Sequence, residues 1–129
     1  MSDRLSIIVI SGSREKLQMA AMTAAVAAAG GSDVGLFVSM NALTFFRREG
    51  APEAPAEGEV GRALEARRAP RFQDLFAQAV DLGSVKIYPC SMAMDVLSLG
   101  PGDLVPYLER PTGLTKFLAE LEGSHVLTF

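Results

Sequence analysis

The sequence predicts an α/β fold: a single-domain three-layer sandwich, with a mostly parallel sheet of about five strands and helices on both faces. Three observations predict it. Short β-branched runs alternate with longer helical patterns along the chain, the order expected of a parallel sheet with right-handed crossovers. The first run, Leu5 to Ile10, is apolar enough to be buried on both faces. The length, 129 residues, suits one domain (1–129) that buries a core without staples.

The elements follow in order. "SGS" ends the first strand, and Ser13 caps a helix whose first turn carries Glu15, complementing the helix dipole. That alanine-rich helix runs to about Ala29 and stops at Gly30-Gly31. Asp33 to Met40 reads as a second strand, and Ala42 to Arg48 as a short helix. From about Glu49 to Pro70 the chain turns to Pro, Ala, Gly and Glu, which predicts a flexible insertion with a helical turn near Gly61 to Arg68. Phe72, Leu75, Phe76, Ala79, Val80 and Leu82 form an amphipathic stripe, ended by Gly83. "VKIYP" is a third strand closed by Pro89, followed by a helix from Ser91 to about Leu99 that "GPGD" terminates. A helix from Thr112 to Leu121 and a strand, "SHVLTF", complete the pattern.

Composition excludes several functions. A net charge of −3 argues against general nucleic-acid binding, which needs a basic surplus. One cysteine forms no intrachain disulfide, CxxC pair or Cys-based zinc site, and it suits a reducing compartment. The apolar run near the N-terminus is too short for a signal peptide, and Met19 to Ala29 is too short to span a bilayer, so a soluble cytoplasmic protein is expected.

Parallel sheets gather ligands outside the carboxyl ends of their strands. That rule selects the loops at Ser11 to Arg14, Ser39 to Asn41, and Pro89 to Met92. The first loop lacks GxGxxG and GxxxxGK[ST], and the second strand ends without an acid to hold a ribose, so a dinucleotide enzyme is not expected. Ser11, Gly12 and Ser13 offer a helix N-terminus to a small anion, although capping alone explains them. His125, the single histidine, has no partner in sequence and fits a structural residue better than a base. Glu53, Glu57 and Glu59 look solvated, as do the arginines around them. Cys90, Met92 and Met94 carry soft donors, yet on a helix position 92 points away from 90 and 94, and methionine so spaced more often fills core. No metal site is expected.

Cys90 remains. Free cysteine is commonly a small buried hydrophobe. Against that, Pro89 ends the strand before it, a helix begins at Ser91, and the position is the crevice end of the sheet, where a thiol gains thiolate character. The residues alone leave the two readings level.

"VKIYPCSMAMDVLSL", together with "IIVISGSREKLQMAAMTAAVAAAGGSDVGLFVSMNALTFF" and "FLAELEGSHVLTF", resembles the DsrE/DsrF-like family, in particular a branch with a C-x-M-x-M-D-like segment after the third strand. The likeness covers the chain except about Glu49 to Pro70. It implies a compact, oligomeric sulfur-relay fold in which one cysteine, here Cys90, carries sulfane sulfur, with Met92, Met94 and Asp95 following it and no cofactor. Ser91 and Met92 join Ser11, Gly12 and Ser13 as candidate substrate or anion contacts. This chain has no second cysteine to resolve a persulfide, so sulfur must leave to another protein or subunit. The expectation is a sulfur carrier or sulfurtransferase, forming a dimer or trimer and meeting donor and acceptor proteins but neither nucleic acid nor membrane. The alternative is a non-enzymatic small-ligand or protein-interaction module with a structural cysteine. The carrier reading expects a partly accessible thiol.

Overall fold

The structure is a computed structural model that describes residues 3–129. Its strands are β1 (Arg4–Val9), β2 (Asp33–Val38), β3 (Val85–Pro89) and β4 (Ser124–Thr128). They form one sheet in the order β3-β2-β1-β4, with every pair parallel. Four strands form rather than about five. The stretch long enough for another carries Gly50, Pro52, Pro55 and Gly58, and proline cannot donate to a ladder.

Six α-helices join the strands: α1 (Arg14–Ala29), α2 (Met40–Leu43), α3 (Glu59–Ala66), α4 (Phe72–Asp81), α5 (Ser91–Val96) and α6 (Leu114–Ala119). α1 and α4 pack together over one face of the sheet. Ile7, Val9, Leu36, Val38 and Ile87 are wholly buried beneath them. α6 covers the other face through Phe117, whose ring lies 5.1 Å from that of Phe37 and 6.4 Å from that of Tyr88. The sandwich is thick on the first side and thin on the second.

Local chemistry sets the helix ends. The Ser13 hydroxyl accepts the Lys16 N–H at 3.3 Å and caps α1. Met40, not Ala42, opens α2, with φ at 51°, and residues Thr44–Phe46 tighten into a 3-10 turn. α4 buries Phe72, Phe76 and Ala79. Leu82, expected in that buried stripe, is 76% exposed, because the helix stops at Asp81 and Gly83 turns the chain with φ at 98°. α5 stops at Val96, short of Leu99, where Ser98 turns with φ at 56°.

The segment before α3 is strapped across the start of α1. The Glu15 carboxylate accepts the N–H groups of Glu57 and Gly58, both at 2.8 Å, and the Arg14 N–H reaches the Pro55 carbonyl at 2.9 Å. Arg14 also pairs with Glu53 and Glu65, and Lys16 with Glu57. Ala54 is the one buried residue of the strap before Gly61. Among the described residues, no helix is long and apolar enough to cross a membrane.

Candidate functional site

The carboxyl ends of the three successive strands are level, because Val9 stands beside Val38 and Val38 beside Pro89. Ile10, Ser39 and Cys90 therefore leave the sheet side by side. Pro89 ends β3 and fixes the exit direction, and Cys90 follows as the residue that precedes α5. The Cys90 N–H donates to the Val38 carbonyl at 2.9 Å, and its carbonyl accepts the Met94 N–H at 3.0 Å. The backbone of Cys90 is thus held on two sides.

A second segment closes over it. Thr112 forms a parallel bridge with Cys90: the Thr112 carbonyl accepts the Ser91 N–H at 3.1 Å, and the Thr112 N–H donates to the Pro89 carbonyl at 2.9 Å. Cys90 is 4% exposed and belongs to the buried core. This corrects the expected partly accessible thiol: beyond the end of β3 the side chain still packs into the core, and residues 22 positions later pair with its backbone. Ser91 is half-buried, Met92 is 52% exposed, and Met94 is buried. Cys90 and Met94 turn inward while Met92 faces out, so the three sulfurs do not converge. Among the described residues, no three His, Cys, Asp or Glu side chains cluster as a metal site.

Ser11, Gly12 and Ser13 lie elsewhere on the same rim. Gly12 is required by close approach: a Cβ there would stand 3.0 Å from that of Asn41 and 3.2 Å from the Phe45 ring. Gly12 and Ser13 join Asn41, Phe45, Pro55 and Glu57 around a cavity of about 450 Å³. Cys90 does not line it. The site residues expected together therefore divide into a buried thiol behind α2 and α5 and an open cavity over the β1–α1 turn.

The electrostatics of that cavity are set by the chain's own carboxylates. The Ser13 hydroxyl and the Lys16 ammonium beside Glu57 hold its carboxyl below the usual range. Backbone N–H groups of Glu57 and Gly58 do the same to Glu15. Glu57 thus places a carboxylate beside Ser13 on the cavity wall. Glu57 and Thr112 are the residues sequence reasoning missed. Glu57 looked like one solvated acid among many, and Thr112 had no motif.

A profile of the DsrE/DsrF/DrsH-like family matches residues 56–129, more than half of the chain and all of β3, Cys90, α5 and β4. The chain belongs to this family. Two solved structures share the fold. One is a protein of unknown function, MTH1491 from Methanobacterium thermoautotrophicum, with a TM-score of 0.73 and 9% identity over 99% of this chain and 100% of that one. The other is the ychN protein from E. coli, with a TM-score of 0.64 and 18% identity over 100% of both chains. No curated protein matches the chain. At these identities the two structures speak for the fold alone, and the family assignment rests on the profile.

Proposed function

We propose that this protein carries sulfane sulfur on Cys90 and hands it to a partner. The observation that carries the reading is the coincidence of the family match with the chain's only thiol, set at the end of β3. The chemistry needs no cofactor. The Cys90 thiolate attacks the outer sulfur of a persulfide R–S–SH. A new S–S bond forms, the donor's S–S bond breaks, and R–S⁻ leaves. Cys90–S–SH then yields its outer sulfur to an acceptor thiolate and becomes a thiolate again. With Cys90 only 4% exposed, donor and acceptor reach the sulfur only when the packing around it opens locally.

Homo-oligomerisation and a cytoplasmic setting belong to the same reading. Met19, Met22 and Val26 form an exposed apolar stripe along α1, at spacings of three and four residues, which favours a subunit contact. The second reading, a binding module with a structural cysteine, is favoured by one specific observation, the burial of that thiol among core residues.

Cyanolysis separates the two. After incubation with polysulfide and desalting, cyanide should release thiocyanate from the wild-type protein in a stoichiometric amount, and none from Cys90→Ser. Equal release from both, or none from either, favours the structural cysteine.

A further inference from the structure

Strands buried in a parallel sheet carry apolar residues on both faces. Here the α1/α4 face obeys and the α6 face does not. Across the middle of that second face, one row in register reads Lys86, Gly35, Ser6. The row before it holds Arg4 beside Asp33. Together with Glu120 of the α6 end they line a groove of about 380 Å³, walled by Tyr88 and Phe117. That is the small end of the roughly 300–1,000 Å³ typical of ligand pockets.

Two features point outward from the fold. The first is Gly35. A glycine inside a central strand weakens it, and usually marks the close approach of another backbone or a ligand. Among the described residues nothing requires it: a Cβ at Gly35 would meet only the Phe117 ring edge, at 4.0 Å. The second is charge. Arg4 stands next to Asp33 in register, yet its guanidinium turns to the Glu120 and Glu122 carbonyls, at 3.0 and 3.2 Å. Among the described residues, none of Arg4, Asp33, Lys86 and Glu120 belongs to an ion pair. Both signs line one groove, exposed to solvent and without an ion-pair partner among the described residues.

We propose that this groove binds a small zwitterion of the α-amino-acid class. Its ammonium group meets the Asp33 and Glu120 carboxylates, its carboxylate meets Lys86, and its side chain lies over Gly35 against Tyr88 and Phe117. Balanced charge disfavours a polyanion. The groove opens at the amino-terminal half of the strands, away from Cys90, so it stands or falls independently of sulfur transfer.

The test is an amide-resolved NMR titration with L-phenylalanine, and with N-acetyl-L-phenylalanine and L-phenylalaninamide as probes lacking one charge each. Saturable shifts at Ser6, Gly35 and Lys86 are expected with L-phenylalanine, and binding at least about threefold weaker for each single-charge probe, the loss of one half-exposed ion pair. Gly35→Ala should raise the groove floor and weaken binding while leaving the thermal midpoint unchanged or higher. Lys86→Met should weaken L-phenylalanine and leave the amide probe unaffected. Absence of saturable shifts, equal affinity for all three probes, or unchanged binding by Gly35→Ala would overturn the proposal. So would shifts of these amides that track protein concentration without ligand, which would make the groove a surface between copies.

Discussion

Thr112 lies across Cys90 as a neighbouring strand would, taking the Ser91 N–H on its carbonyl and giving its own N–H to Pro89. The bridge has no side-chain component at Cys90. Whether this bridge limits access to the buried sulfur is measurable. Alkylation of Cys90 by iodoacetamide in the folded protein should be much slower than in the denatured chain and limited by local opening. Thr112→Pro deletes one backbone hydrogen bond, worth about 0.5–1.5 kcal/mol net. It should accelerate alkylation between about twofold and tenfold. A wild-type rate equal to that of the denatured chain would show the bridge to be no barrier.

The strap should respond to acid. The Glu15 carboxyl is lowered by the Glu57 and Gly58 N–H groups it accepts. A depressed carboxylate stabilises fully above its unfolded pKa, and that stabilisation is lost as pH falls through the folded value. Amide protection at Glu57 and Gly58 should hold from neutral pH down to the ordinary carboxylate range and collapse below it. Protection that persists unchanged into strong acid would place the tether elsewhere.

Gly61 tests the same tether without pH. It is buried in α3 against the Glu15 carboxylate, and a methyl group there overlaps that carboxylate. Alanine ordinarily gains about 1 kcal/mol over glycine inside a helix. Here the gain should be offset: the methyl displaces the flexible end of Glu15 from the strap, so Gly61→Ala should speed proteolytic cleavage between residues 49 and 58 with little change in the thermal midpoint. A stabilised, protease-resistant variant would contradict the contact.

The register of α4 gives a paired prediction. Phe76 is wholly buried and its ring lies 5.2 Å from that of Phe46. Phe76→Ala should cost about 3–5 kcal/mol in denaturant unfolding. Leu82→Ala, six positions on, should stay within roughly 0.5 kcal/mol of wild type. Comparable losses at both would mean that the helix continues past Asp81.

Phe76 and Leu82 also show what the sequence could and could not convey. Periodicity located α4 and its inward face, because burial of a stripe is a local pattern. It extended the stripe to Leu82 because nothing in the pattern marks where the last turn frays. The parallel order of β1, β2 and β3 was legible from their apolar runs and the helices between them. The position of Cys90 after Pro89 was legible for the same reason. Its burial was not, since it depends on packing among core residues distant in sequence, which composition does not encode. The same holds for Glu57, whose role arises only when the strap meets the start of α1. At Gly35 the available signal was a glycine amid the apolar Val34, Leu36 and Phe37, which the strand pattern alone does not single out.

The most direct test of the central claim is the intact mass of the protein after exposure to a sulfane donor such as thiosulfate or polysulfide. The carrier reading predicts that the wild-type protein gains the mass of one sulfur atom, that a reductant removes it, and that Cys90→Ser gains nothing while keeping its fold. No added mass on the wild type, together with a Cys90→Ser variant whose main defect is a lowered thermal midpoint, would contradict it and leave Cys90 as a packing residue.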